Sequence, residues 1–193
     1  ASVGIALFPQ DSSEIEALMK QADTALYHAK NAGRGVYSYF TESMSVRADQ
    51  RLRMERDLRI ALSEQQLFLV YQPKVLLPER RIVGVEALVR WRMADGTVAL
   101  PDEFSPLAEE SGLIASLDEW VMREACLQNA RWRRSGLSTF PVSVNVSLAR
   151  LDPDRLVARV RDTLEEAGLD AGSLEIEFTE SQMFQHHQQT HDL

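Results

Sequence analysis

Beyond residue 65 the chain alternates between segments with the pattern of strands and segments with the pattern of helices. Segments rich in β-branched and aromatic residues predict four strands, at 66–75, 81–91, 140–147 and 173–180. Apolar residues at steps of three and four predict amphipathic helices, at 103–111, 117–134 and 154–167. This alternation is typical of a mainly parallel sheet, since a helix is the usual crossover between parallel strands. We expect an α/β fold whose sheet is either open or closed into a barrel.

The first 64 residues are organised differently. A short strand is predicted before Pro9, a helix with one apolar stripe follows, and VYSYF at 36–40 predicts a second strand. Residues 41–64 are polar and arginine-rich, with apolar residues at helical spacing. We therefore expect an α/β piece at 1–40, a connecting helix at 41–64 and the alternating part at 65–193.

The composition excludes several classes of protein. A net charge of -8 argues against binding a nucleic-acid polymer, although a small phosphorylated ligand needs only a few local cations. The single cysteine excludes an internal disulfide and fits a reducing compartment. No run approaches the roughly 20 apolar residues of a membrane span. We expect a soluble, cytoplasmic chain. Its first residues already read as the middle of a strand, so we expect further segments upstream of them. Whether those segments anchor the parent protein to the inner membrane is left open.

Three of the predicted strands carry polar side chains on one face. In VEALVRW at 85–91, Glu86, Leu88 and Arg90 share a face, because side chains alternate along a strand. The corresponding sets on the two later strands are Ser143, Asn145 and Ser147, and Glu175, Glu177 and Thr179. A half-exposed antiparallel sheet would explain any one such face by solvation. Three of them in a sheet covered on both sides indicate instead a common interior that converges on a site.

The polar faces offer oxygen ligands without a histidine or cysteine cluster beside them. Glu86, Asn145 and Glu177 supply carboxylate and amide oxygens, which favour Mg²⁺, Mn²⁺ or Ca²⁺ over zinc. Arg90 lies on the face of Glu86, and its planar guanidinium matches a phosphate. A metal beside a phosphate predicts phosphoester chemistry.

Five separated motifs carry a family resemblance. YQPKV, GVEALVRW, PDEFSPLAEESGLI, VSVNVS and LEIEFTES resemble, in order and spacing, the first half of an EAL domain, over about residues 55–193. The resemblance implies a modified (β/α)8 barrel, similar to a TIM barrel, that hydrolyses cyclic di-GMP to linear 5'-pGpG. It also implies two Mg²⁺ or Mn²⁺ ions that activate the attacking water.

The resemblance also implies roles for individual residues. The metal ligands would be Glu86, Asn145 and Glu177, with Glu86 also counted as catalytic. Glu180 would be a second catalytic position, which supports the loop that completes the site. The dinucleotide would be bound by Arg90 at a phosphate, by Gln72 at a guanine and by packing against Leu88.

The amino-terminal piece resembles a second family. ASVGIALFP and ADTALYHAKNAGRG look like the end of a GGDEF domain, the diguanylate cyclase module. Lys30 and Arg34 would match contacts to the phosphates of GTP, which makes GTP a further candidate ligand. Lys30 is equally well explained as a cation at a helix carboxyl terminus. The signature loop lies upstream, so the sequence leaves cyclase activity undecided.

The extent of the resemblance limits what the chain can do alone. A complete barrel needs roughly 250 residues, and only about 140 are present. Later motifs, among them paired aspartates and a lysine, have no counterpart before Leu193. We expect a cyclic di-GMP phosphodiesterase in the full-length parent, homodimeric through the connecting helix, and an inactive chain by itself. A catalytically inactive EAL receptor and a net diguanylate cyclase remain as alternatives.

Overall fold

The computed structural model describes residues 1–33, 35–137, 140–148 and 152–178. It divides into two compact units, Ala1–Arg56 and Asp57–Leu193. The helix α2, Glu42–Ser63, runs across this division and lies within the segment predicted as a connector. That α2 connects two domains stays a prediction. The division of the chain into 1–40, 41–64 and 65–193 also stays a prediction.

The first unit is a small α/β arrangement. Strands β1, Val3–Ile5, and β2, Tyr37–Tyr39, pair in parallel, and the helix α1, Ile15–Asn31, lies between them in the chain. Strand β1 approaches α1 so closely that a Cβ atom on Gly4 would lie 2.1 Å from the carbonyl oxygen of Ala22. Glycine at position 4 is therefore what permits this packing.

The second unit contains five strands and three longer helices among the described residues. Their bounds are β3 Leu67–Leu76, β4 Arg81–Arg92, β5 Val98–Ala99, α3 Pro101–Ser111, α4 Ile114–Arg134, β6 Val142–Asn145, α5 Pro153–Ala167 and β7 Leu174–Glu177. The strand order is β3-β4-β6-β7, with β5 beside β4. The four strands and three helices predicted from the sequence all have counterparts, and the short β5 was not predicted.

The sheet is only partly parallel. Strands β4, β6 and β7 are parallel, as expected for strands joined through helices. Strand β3 runs antiparallel to β4, so the expectation of a mainly parallel sheet is wrong for this strand. The reason is the short turn at 77–80, which is too short for a crossover and reverses the chain direction.

The core of this unit lies between one face of the sheet and its helices. The buried residues on the sheet are Val85, Ala87, Val142 and Val144. Burying one valine side chain stabilises the fold by about 1.5–3 kcal/mol. Trp91 of β4 meets Phe104 of α3 edge to face, with ring centroids 5.8 Å apart. Because side chains alternate along a strand, the polar side chains of these strands lie on the opposite face of the sheet.

Two side-chain contacts fix α4 against this sheet. The side chain of Asn129 donates to the carbonyl oxygen of Ser173 at 3.0 Å, just before β7 begins. Tyr71 of β3 stacks edge to face on Trp132, with centroids 4.6 Å apart. Among the described residues, none of the helices combines the length and the hydropathy that a membrane crossing requires.

Candidate active site

The polar side chains of β3, β4, β6 and β7 lie in register on one face of the sheet. One row runs across the four strands and contains Gln72, Glu86, Ser143 and Glu175. In the next row Asn145 of β6 stands opposite Glu177 of β7. The common interior predicted from the alternation of polar residues is thus a continuous face of one sheet.

Glu86 and Asn145 are in direct contact. The side-chain Nδ2 of Asn145 donates a hydrogen bond to Oε1 of Glu86 at 2.7 Å, from β6 to β4. Glu86 is half-buried and Asn145 is exposed, so the pair remains accessible. Because the amide donates through its nitrogen, its carbonyl oxygen is not used in this contact.

A second group on this face is centred on Lys74 of β3. Its ammonium donates to Glu177 Oε1, to Ser143 Oγ and, at 3.1 Å, to Glu175 Oε2. Ser143 Oγ donates in turn to Glu175 Oε2 at 2.6 Å. Four strands are therefore linked by two clusters, Glu86 with Asn145, and Lys74 with Ser143, Glu175 and Glu177, which we call the lysine cluster.

The charged groups of the lysine cluster stabilise one another. Partial burial acts to lower the pKa of Lys74, but hydrogen bonds to Glu177 and Glu175 outweigh it and raise that pKa above its ordinary value. The hydrogen bond from Ser143, followed by that from Lys74, lowers the pKa of Glu175. Both shifts favour the charged forms, so that Lys74 stays protonated and Glu175 stays deprotonated at neutral pH.

The predicted substrate-binding residues lie on the same face of the sheet. Arg90 donates from Nη1 to the carbonyl oxygen of Val89 at 2.8 Å. Gln72 is exposed, opposite Glu86 in the register of β3 and β4. Leu88 is half-buried between Glu86 and Arg90 along β4.

The carboxyl end of β6 is held by two acidic residues. The buried carboxylate of Asp118 on α4 accepts the backbone N–H of Ser147 at 3.1 Å, and Glu109 on α3 accepts the Ser147 hydroxyl at 2.7 Å. Burial raises the pKa of Asp118 from its ordinary value of 3.8 to about 7, against the opposing hydrogen bond from Ser147. These contacts fix the turn that follows Asn145.

A cleft of about 730 Å³ opens beside this end of β6. It runs between the sheet and the helices α3 and α4, and its lining includes Leu88, Asn145, Asp118 and Ser147. Of the predicted site residues that the structure describes, only Leu88 and Asn145 line it. The cleft therefore borders the polar face rather than containing it.

Sequence reasoning missed part of this arrangement. Ser143 and Glu175 were recognised on polar faces but given no role, and Lys74 was quoted only as part of a motif. The signal for Lys74 was its position two residues after Gln72, which places both on one face of β3. Lys30 lies exposed in the last turn of α1. The predicted residues Glu180 and Arg34 lie outside the described residues.

The donor set fits a divalent cation. Glu86, Asn145 and Glu177 supply only oxygen atoms, which hard cations such as Mg²⁺ and Mn²⁺ prefer. The contact between Glu86 and Asn145 and the register of Asn145 with Glu177 bring the three onto neighbouring strands. Within the described ranges no three histidine, cysteine, aspartate or glutamate side chains form a metal-binding group by themselves.

Comparison with known families identifies this unit. The family model described as EAL domain matches residues 55–193. The chain belongs to the EAL domain family. A second model, described as diguanylate cyclase, GGDEF domain, matches residues 1–36. The tandem GGDEF and EAL arrangement read from the motifs is therefore confirmed.

Individual relatives agree with this assignment. The bifunctional diguanylate cyclase/cyclic di-GMP phosphodiesterase MucR of Pseudomonas aeruginosa is 44% identical over 181 residues, which cover 94% of this chain and 26% of MucR. The cyclic di-GMP phosphodiesterase NbdA of the same organism is 42% identical over 190 residues, 98% of this chain and 24% of NbdA. The chain thus spans about a quarter of the length of these curated relatives.

Solved structures of the family share the fold. The PaMucR phosphodiesterase in a c-di-GMP complex superposes with a TM-score of 0.63 at 41% identity, over 66% of this chain and 52% of that one. The Xanthomonas citri FimX EAL domain in complex with c-diGMP gives a TM-score of 0.64 at 26% identity, over 75% and 55% of the two chains. The EAL domain's sheet and helices here form part of a TIM-like barrel, as predicted.

Proposed function

We propose that the intact protein hydrolyses cyclic di-GMP to linear 5'-pGpG. The observation that carries this proposal is the contact between Asn145 and Glu86, which places two oxygen-bearing side chains together on the polar face. Membership of the EAL family and likeness to NbdA and to the PaMucR phosphodiesterase support it. Net negative charge over the chain is consistent with a small dinucleotide and not a nucleic-acid polymer as the ligand.

The proposed metal site consists of Glu86, Asn145 and Glu177. Their oxygens would hold Mg²⁺ or Mn²⁺, and the proposal includes two ions. Two such ions, when bound, would lower the pKa of the attacking water and stabilise both oxygens of an in-line displacement. The chain's own part is to hold these ligands on three adjacent strands of a sheet, which keeps them in place while the substrate is bound.

The proposed substrate contacts come from the same face. Arg90 would bind a phosphate, since its guanidinium donates to the neutral carbonyl of Val89, and an anionic oxygen is the stronger acceptor. Gln72 would bind a guanine and Leu88 would pack beside it. Glu180, outside the described residues, is proposed as the second catalytic position.

The proposal extends to the parent protein. Lys30 and Arg34 would bind the phosphates of GTP in the GGDEF unit, and α2 would support a homodimer in the cytoplasm. Residues 1–193 alone are proposed to be inactive, because a barrel of this kind draws its catalytic residues from several different strands.

Parallel binding and hydrolysis assays on the intact protein test the proposal. Cyclic di-GMP is titrated with Ca²⁺ present, and product formation is followed with Mg²⁺ and with Mn²⁺. Binding together with conversion to 5'-pGpG is the expected result. Tight binding without product would establish a receptor, and net synthesis of cyclic di-GMP from GTP would establish a cyclase; either would overturn the proposal.

A further inference from the structure

We propose that Lys74 is a positioning residue that holds Glu177 and Glu175 in place for the divalent cation of the active site. This inference rests on the proposed function, because it concerns the ligand set of that site. Lys74 is not itself a ligand, since an ammonium has no lone pair. It acts through the carboxylates that its side chain contacts.

The side chain of Lys74 crosses strand β4 to reach its partners. Lys74 belongs to β3, yet its partners Ser143 and Glu177 belong to β6 and β7, on the far side of β4. The residue of β4 opposite Lys74 is Gly84. A Cβ atom there would lie 3.6 Å from Cδ of Lys74, so the lysine stem passes directly over this glycine. A larger side chain at position 84 would occupy that path.

The contacts of the ammonium use its full donor capacity. An ammonium has three donors, and the described contacts are to three acceptors, Glu177, Glu175 and Ser143. Such a geometry fixes the two carboxylates relative to each other on one strand. In metal sites, hydrogen bonds of this kind orient the ligand carboxylate and are worth about 10–100-fold in metal affinity.

The charge balance of the face allows a cation to bind beside Lys74. Glu86, Glu175 and Glu177 bring three carboxylates to the face, against two cations, the ammonium of Lys74 and the guanidinium of Arg90. Excess negative charge therefore remains for a divalent ion. In a competing role, the ammonium of Lys74 would occupy the position of the metal ion at Glu177. Removing the ammonium would then tighten metal binding, whereas the positioning role predicts weaker binding.

The test is titration of the intact protein with Mn²⁺ alone, followed by the electron paramagnetic resonance signal of unbound Mn²⁺. Lys74→Met keeps the length of the side chain and removes its charge, and should raise the dissociation constant by about 10–100-fold. Lys74→Arg keeps a cation and should recover most of the affinity. Arg123→Met is the matched control, because it removes an ion pair with Glu166 on the helices, and should leave the affinity unchanged.

A second pair of variants tests the same role without altering any charge. Gly84→Ala adds a Cβ at ordinary contact distance and should bind Mn²⁺ as the wild type does. Gly84→Val extends into the path of Lys74 and should weaken binding as Lys74→Met does. The thermal unfolding midpoint of each variant, read by circular dichroism, shows that the fold is retained.

The outcomes separate this inference from the proposed function. Unchanged or tighter Mn²⁺ binding in both Lys74→Met and Gly84→Val overturns the positioning role and leaves the phosphodiesterase proposal intact. Absence of Mn²⁺ binding in the wild type overturns the metal site and the role of Lys74 together. Weaker binding in both variants, recovered in Lys74→Arg, establishes the role.

Discussion

Asn145 donates its side-chain amide to Glu86 across the parallel strands β6 and β4, with 2.7 Å between Nδ2 and Oε1. The contact orients both groups, because the amide can donate only through its nitrogen and the carboxylate can only accept. In the proposed metal site, each residue would therefore hold the other in place.

Asn145→Ala should weaken Mn²⁺ binding by roughly 10-fold, because it removes one oxygen ligand and the donor that orients Glu86. Isothermal calorimetry on the intact protein measures the change. Asn31→Ala, an exposed amide at the end of α1, is the control and should bind as the wild type does. Equal affinities in the Asn145 and Asn31 variants would remove Asn145 from the site.

Arg90→Ala should weaken cyclic di-GMP binding by about 1.5–3 kcal/mol, the range for a hydrogen bond to a charged group. The dissociation constant is measured with Ca²⁺ present, so that binding is separated from turnover. Arg81→Ala, exposed at the start of the same strand, serves as the control. An unchanged constant for Arg90→Ala would make Arg90 a structural residue of β4.

Asp118 should make folding stability fall as the pH rises. Its pKa is raised by burial to about 7, above the ordinary value of 3.8. Below pH 4 both the folded and the unfolded chain hold the proton and its contribution is fully present. Between pH 4 and 7 the unfolded chain has released the proton that the folded chain keeps, so stability is lost, by an amount of the order of 4 kcal/mol.

Asp118→Asn tests this prediction, because an amide does not titrate but can still accept the N–H of Ser147. The unfolding midpoints of the variant and the wild type are compared at pH 5 and pH 8. The advantage of the variant should grow towards pH 8, while Asp23→Asn, at an exposed position of α1, should show no such growth. A constant difference between Asp118→Asn and the wild type would contradict the prediction.

The polar face could be predicted from the sequence because a strand has a side-chain period of two. Glu86 and Glu177 share the face of Asn145 only if their strands are neighbours, and the helical crossovers made that expectation reasonable. The structure brings Glu86 and Asn145 into contact and places Glu177 beside Asn145 in register. Parallel pairing of β4, β6 and β7 is what brings the alternating polar residues of the three strands onto one face of the sheet.

The lysine cluster could not be predicted, because it depends on strand order and on one missing side chain. Lys74 reaches β7 only because β3 joins antiparallel to β4 and Gly84 leaves a path across it. The raised pKa of Asp118 likewise depends on how α4 packs beside the end of β6, which no local pattern encodes.

The rate of 5'-pGpG formation in Glu86→Gln tests the central claim most directly. Glutamine has the shape of glutamate and can still accept the hydrogen bond from Asn145, so the fold is kept while the ligand charge is lost. With saturating Mg²⁺ and cyclic di-GMP, the intact wild type should form 5'-pGpG, and Glu86→Gln should form it at least about 100-fold more slowly. Product formation at the wild-type rate in Glu86→Gln would contradict the assignment of this face as the active site.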